Sequence, residues 1–182
     1  MRLDRAVAFD GHDGAGKSST AAYVAEQVGA RIVRPFDAAL GKHLAWLWQA
    51  GRFDETDRLA RQSIERLLDC PDERLLFDRH WVTMFTVLPE VFWVDWRPLP
   101  PTVVFVADPS DIAKRLAFRG ENPGNAAEHR YWVDKYAALS VHAARRLIID
   151  SSKTDPTTAR RAALGFVKTV FGLQSGREQS GA

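Results

Sequence analysis

The sequence predicts an α/β fold, a parallel sheet of about five strands with helices on both faces, and three observations carry that reading. Short apolar runs alternate with longer segments of helical spacing, the first apolar run passes directly into a glycine-rich loop that opens a helix, and several runs end on aspartate. Strands alternating with helices give a sheet buried on both faces, with ligands at the carboxyl ends of the strands.

The elements follow in order. Ala6 to Phe9 is a buried strand bounded by Asp10-Gly11, and from Lys17 the spacing of Ala21, Ala22, Val24, Ala25 and Val28 is helical until Gly29. Arg31 to Arg34 reads as a second strand stopped by Pro35. Leu40 to Ala50 and Thr56 to Leu68 read as helices separated by Gly51 and closed by Pro71. Leu75 to Phe77 is a third strand with Asp78 at its end. Trp81 to Trp93 is apolar nearly all round, which predicts one buried helix, and Pro98, Pro100 and Pro101 then break the chain. Thr102 to Ala107 is the clearest strand. Asp108-Pro109-Ser110 starts a helix running to about Arg119, and Gly120 to Asn125 is a loop rich in glycine and asparagine. Tyr131 to Arg145 is helical, Leu147 to Ile149 is the last strand, and Pro156 to Phe171 closes the fold. The polar tail 174–182 reads as disordered, leaving one domain over 1–173.

Composition removes several classes. A chain of 182 residues with 46% hydrophobic content supports a single core without staples. The one cysteine, Cys70, offers neither an intrachain disulfide nor a zinc cluster, so a cytoplasmic location is expected. No run approaches the length of a membrane span, and a net charge of +2 with scattered basic residues argues against nucleic-acid binding.

Chemistry concentrates at three places. Gly11-His12-Asp13-Gly14-Ala15-Gly16-Lys17-Ser18 fits G-x-x-x-x-G-K-[ST], a loop whose backbone N–H groups cradle phosphates at a helix N-terminus. Lys17 adds charge toward the β- and γ-phosphates of ATP, Ser18 offers a hydroxyl to Mg²⁺, and Ser19 belongs to the same donor site. Asp78-Arg79 follows the third strand at the same sheet edge, where the aspartate can orient the metal and the arginine can hold phosphate; His80 is expected to wall an acceptor pocket. Arg115 and Arg119 lie four apart before the loop 120–125, with Arg130 beyond it, an arrangement suited to a lid over about 120–127 that excludes water and adds positive charge.

On these residues the chain resembles the thymidylate kinase group of nucleoside monophosphate kinases. Phe9 to Ser18 is similar to that group's F-E-G-x-D-G-x-G-K-[ST], and Asp78-Arg79-His80 to its D-R-[YF]. Arg34-Pro35 with Leu40-Gly41, Arg61, Arg119-Gly120, Tyr136 with Leu139, and Ile149-Asp150-Ser151 extend the likeness over most of the chain. The resemblance implies that Asp13 approaches the acceptor sugar. It also implies that Arg34, Phe36, Arg61 and Arg79 form the acceptor site, and that the lid arginines reach the donor phosphates. Where the family carries S-x-x-A-Y-Q after D-R-[YF], this chain runs Trp81 to Leu88, with Leu88 in place of the glutamine, so thymidylate is expected to be a poor acceptor.

The function this implies is ATP- and Mg²⁺-dependent phosphoryl transfer to a small acceptor. Foremost is a nucleotide, a standard or modified pyrimidine nucleoside monophosphate. The second reading is a nucleoside or other small-alcohol kinase with Asp10 or Asp13 as proton acceptor, and a regulatory NTPase is the third. No nucleic acid or membrane partner is expected, and a homodimer is left open.

Overall fold

In the computed structural model, which describes residues 3–68, 73–96 and 98–173, five strands form one wholly parallel sheet in the order β2-β3-β1-β4-β5. The strands are β1 (Ala6–Gly11), β2 (Arg31–Val33), β3 (Leu75–Asp78), β4 (Thr102–Val106) and β5 (Arg146–Asp150). The helices are α1 (Lys17–Val28), α2 (Ala38–Gln49), α3 (Phe53–Leu68), α4 (Trp81–Phe85), α5 (Pro109–Phe118), α6 (Ala126–Leu139) and α7 (Pro156–Val170). Among the described residues no helix is long and apolar enough to cross a membrane.

Alternation along the strands divides the core in two. Ala6 and Ala8 of β1, Phe77 of β3 and Val104 of β4 face α2, α3, α4 and α6. Val7, Phe9, Leu76, Val103 and Phe105 face α1, α5 and α7. Both faces of β1 are thus buried, and fully burying a side chain of the size of Phe9 stabilises the fold by roughly 2–3 kcal/mol. Caps fix the helix starts, at the expected places for α5 and α7 and ahead of the expected Leu40 and Tyr131 for α2 and α6. Asp37, Asp108, Asn125 and Asp155 each accept backbone N–H bonds from the first turns of α2, α5, α6 and α7. Gly29 ends α1 in the left-handed conformation.

The apolar stretch Trp81 to Trp93 is not one helix. Pro89 has no N–H and disfavours helical backbone at Leu88, so α4 ends at Phe85 and the chain resumes as a 3₁₀ turn over Glu90–Trp96. Trp93 Nε1 donates to Leu88 O across this break, and Leu88 is buried in the core. The helix expected from Tyr131 starts earlier, at the Asn125 cap, and ends at Leu139, followed by a 3₁₀ turn over Ser140–His142. The expected tail over 174–182, and Cys70 with Pro71, lie outside the described residues.

Candidate active site

The carboxyl ends of β1 and β3, side by side in the sheet, bring the candidate site residues together. At Gly11, φ is 140° and a β-carbon would lie 2.2 Å from Phe105 O, so only glycine lets β1 turn there against β4. The loop then reaches Gly16, the left-handed N-cap of α1, and aims the first amides of the helix into its own hollow. Arg115 braces it from behind: Nη1 donates to Gly14 O at 3.0 Å and Ser151 Oγ at 2.8 Å, and Nη2 to Ser151 O at 2.9 Å. Arg115 therefore ties the glycine loop to the loop after β5. The two frame a cavity of about 250 Å³ lined also by Gly16, Ser19, Thr20, Phe105, Thr154 and Arg160.

Lys17 is 5% exposed. Its Nζ donates to His12 O at 3.0 Å and lies 3.9 Å from Asp13 Oδ1. Burial, and next the charge of Arg79, lower its pKa to about 8, against the opposing pull of Asp13, Asp78 and Asp10.

Arg79 is the one non-glycine residue with positive φ among the described residues, at 79°, a conformation that costs an L side chain about 1–2 kcal/mol. Its surroundings hold it there. Arg79 N–H donates to Phe9 O at 2.9 Å. The carboxylate of Asp10, fully buried, accepts from His80 N–H at 3.0 Å, Thr83 N–H at 3.3 Å and Thr83 Oγ at 2.7 Å, all through Oδ1. With the Thr83 proton committed to Asp10, Tyr136 O–H donates to Thr83 Oγ at 3.0 Å and accepts from Arg79 Nη1 at 3.1 Å. A directed chain, Arg79 to Tyr136 to Thr83 to Asp10, thus aims the guanidinium, whose other arm pairs with Asp13. Burial raises the Asp10 pKa in spite of these bonds, and Asp10 Oδ2 is buried without a hydrogen-bond partner. Burial opposes ionisation of Asp13 too, but the charges of Arg79, Lys17 and His12 outweigh it and keep that carboxyl below its ordinary range.

Beside this polar floor lies a cavity of about 390 Å³. Phe36, Leu44, Trp48, Met84, Val87 and Trp132 supply its apolar lining, and His12, Asp13, Arg79, Thr83 and Tyr136 its polar lining. Trp48 of α2 and Trp132 of α6 meet edge to face with ring centroids 6.2 Å apart. A larger cavity, about 780 Å³, opens at the opposite end of the sheet around Gly29, Arg31, Arg74 and Phe171, away from the strand ends where ligands of such sheets bind.

The structure brings Asp13, Lys17, Phe36 and Arg79 to one cleft and sets other expected site residues apart. Arg34, 64% exposed, donates through Nε to Asp78 Oδ2 at 3.2 Å. Arg61 is held by Asp57 at 2.8 Å, with Asp95 at 3.9 Å, and Asp57 also accepts from Trp96 Nε1 at 2.7 Å. Arg61 therefore fastens α3 to the 3₁₀ turn and does not line the cavity. Arg119 is exposed and pairs with Glu121 at 3.0 Å. Arg130, also exposed, lines a separate hollow with Asp108, Asp134 and Asp150. Ser18 is exposed in the first turn of α1.

His80 does not wall the acceptor pocket. The positive φ of Arg79 turns the following side chain inward, where His80 is 3% exposed between Phe77 and Trp96 and neither ring nitrogen finds a partner. Burial lowers its pKa to about 3. Because the unfolded chain binds this proton near pH 6.5 and the native state does not, stability is present above 6.5 and is lost as pH falls toward 3, by about 1.4 kcal/mol per pH unit. His80→Leu removes the buried orphan and its titration. Urea unfolding at pH 7 and 4.5 is expected to show the unmodified protein losing about 2–3 kcal/mol more than the variant between the two; parallel losses would contradict the assignment.

Sequence reasoning did not single out Trp48, Thr83, Trp132 or His129. The first and third were visible only as aromatic residues on helical segments, and Thr83 was hidden inside an apolar run.

No protein-family model and no curated protein matches this chain. Solved structures do match its fold. The YorR protein of Bacillus subtilis in complex with phosphorylated GDP is 16% identical over 90% of this chain and 95% of that one, with a TM-score of 0.63. Deoxyadenosine kinase from M. mycoides with bound dCTP is 12% identical over 90% and 99%, TM-score 0.62. Shikimate kinase from Bacteroides thetaiotaomicron is 12% identical over 92% and 98%, TM-score 0.60. The chain has the P-loop kinase fold.

Proposed function

We propose that this protein transfers the γ-phosphoryl group of ATP to a hydroxyl group on an uncharged, nucleoside-like acceptor. One observation carries the choice of acceptor: the cavity beside the loop has aromatic and aliphatic walls, and among the described residues that line it the one cation is Arg79, already paired with Asp13, while Lys17 lies behind Asp13 on the donor side. A monophosphate dianion would need further positive charge, and the arginines expected to supply it, Arg34 and Arg61, are paired with Asp78 and with Asp57. The likeness to a nucleoside kinase is in keeping with this reading.

Mg²⁺ suits the donor set at this edge. Ser18 Oγ, the Asp78 carboxylate and the unpartnered Asp10 Oδ2 are hard oxygens next to the loop, the kind of ligand that magnesium takes together with phosphate. Bound there, the ion would neutralise charge on the phosphates. The loop amides and Lys17 hold the donor, and Arg79, aimed by Tyr136, meets the transferring group. The acceptor oxygen forms the new O–P bond while the bond from the γ-phosphorus to the β–γ bridging oxygen breaks. That electron pair leaves with ADP, and the hydroxyl proton passes to a carboxylate oxygen of Asp13.

ADP release measured across nucleosides, their monophosphates and small alcohols tests the reading. A nucleoside is expected to exceed its own monophosphate by at least about tenfold in kcat/KM, roughly 1.4 kcal/mol in the transition state. Preference for the monophosphate would instead mean that Arg34, exposed enough to leave Asp78, turns into the cleft.

A further inference from the structure

From Ala117 to Glu128 every side chain is exposed, so the loop joining α5 to α6 has no apolar anchor. Its own hydrogen bonds are local: Gly120 and Glu121 N–H donate to Ala117 O and Leu116 O, and Gly124 N–H to Asn122 Oδ1. The Arg119–Glu121 pair is exposed. Segments with so few buried contacts open at low free energy. The first buried residue beyond the loop is His129, 4% exposed.

The ring of His129 faces two ways. Nε2 lies 2.5 Å from Pro123 O in the middle of the loop, and Nδ1 lies 2.8 Å from Nε2 of His12 in the phosphate-binding loop. A carbonyl only accepts, so His129 Nε2 carries a proton; in the neutral ring Nδ1 is then the acceptor and His12 Nε2 the donor. Burial, and lesser repulsion from His129, Lys17 and Arg79, lower the His12 pKa to about 4 against the pull of Asp13, so His12 is neutral at neutral pH. The loop backbone also passes close to the ring, since a β-carbon at Gly124 would come 3.0 Å from His129 Cε1. His12 is in turn the residue whose carbonyl holds Lys17 Nζ. One run of contacts thus leads from Pro123 through both rings to the backbone that seats the phosphate-binding lysine.

We infer that His129 is a positioning residue that couples the loop 119–125 to the phosphate-binding loop through His12, so that closure over the donor and the setting of Lys17 occur together. This rests on the reading of the segment over about 120–127 as a donor-side lid, but it requires no particular acceptor.

The test is amide hydrogen exchange of the full chain, with and without ATP and Mg²⁺, in His129→Leu, His129→Gln, His12→Leu and the double leucine variant. Two hydrogen bonds of about 1 kcal/mol each are at stake. His129→Leu is accordingly expected to speed exchange over 119–125 by about tenfold or more while β1 and β4 hold their rates. Glutamine keeps one acceptor and one donor on a side chain of similar reach, and is expected to stay within about threefold of the unmodified protein. The double variant should exchange no faster than His129→Leu alone, as partners in one contact do not add. ATP with Mg²⁺ should slow exchange over 119–125 in the unmodified and glutamine proteins and not in His129→Leu. Unchanged exchange in His129→Leu, a glutamine variant indistinguishable from leucine, additive effects in the double variant, or equal ATP protection in His129→Leu would each overturn the coupling. No readout involves turnover, so the kinase reading can fail while the coupling stands, and the reverse.

Discussion

Lys17→Ala is expected to lower kcat about a thousandfold, roughly 4 kcal/mol of transition-state stabilisation, while the chain unfolds within a few degrees of the unmodified protein. The magnitude is that of removing one preorganised charge from developing phosphate charge. The fold should survive because the Lys17 Nζ hydrogen bond ends on His12 O, inside the same loop, and neither core cluster includes Lys17. The same residue sets a pH dependence. With its pKa lowered to about 8 by burial and Arg79, Lys17 of the free protein loses its proton as pH rises through 8, and the phosphates lose their cation. The kcat/KM for ATP should fall above about pH 8, since that ratio reports the free enzyme. Retention of more than about a tenth of kcat in Lys17→Ala would remove the loop from the mechanism.

How much of this could be read in the sequence depends on how local each determinant is. The strand, loop and helix from Ala6 to Val28 were legible because glycine at a left-handed position and the Gly-Lys-Ser run constrain the backbone within a few residues. The parallel sheet was legible for a similar reason, since strands buried on both faces read as apolar runs. The break in Trp81–Trp93 was written in Pro89, and the Asp57–Arg61 pair in its i, i+4 spacing. Both signals were outweighed, one by the apolar run and one by the family resemblance. The direction of His80 was not legible: it follows from the positive φ of Arg79, which is set by Asp10 and Phe9 on another strand. Nor was the cavity proposed to take the acceptor, because Trp48, Trp132 and Tyr136 converge only when α2 and α6 pack over the same sheet edge. Long-range pairs of this kind leave no spacing in the chain.

Asp13→Asn separates the two acceptor chemistries most sharply. Asparagine keeps an oxygen for Arg79, and Tyr136 holds the other arm of that guanidinium, so the geometry around the transferring group should persist. What is lost is an ionised oxygen able to take a proton. Arg79 and Lys17 keep the carboxyl ionised across the neutral range, so it acts as a proton acceptor of fixed position more than of high basicity. That suffices for a reaction whose transition state builds little charge on the attacking oxygen. With a hydroxyl acceptor, kcat is expected to fall about a hundredfold to a thousandfold, within the range of a lost general base, while the KM for ATP stays within about threefold. A phosphate acceptor already carries an ionised oxygen, and the same variant should then lose less than about tenfold. The measurement is kcat with the preferred nucleoside and its monophosphate, in single-turnover mode so that product release does not mask the step. A small loss with the nucleoside would move the proton to another group, and a small loss together with preference for the monophosphate would overturn the hydroxyl-kinase reading itself.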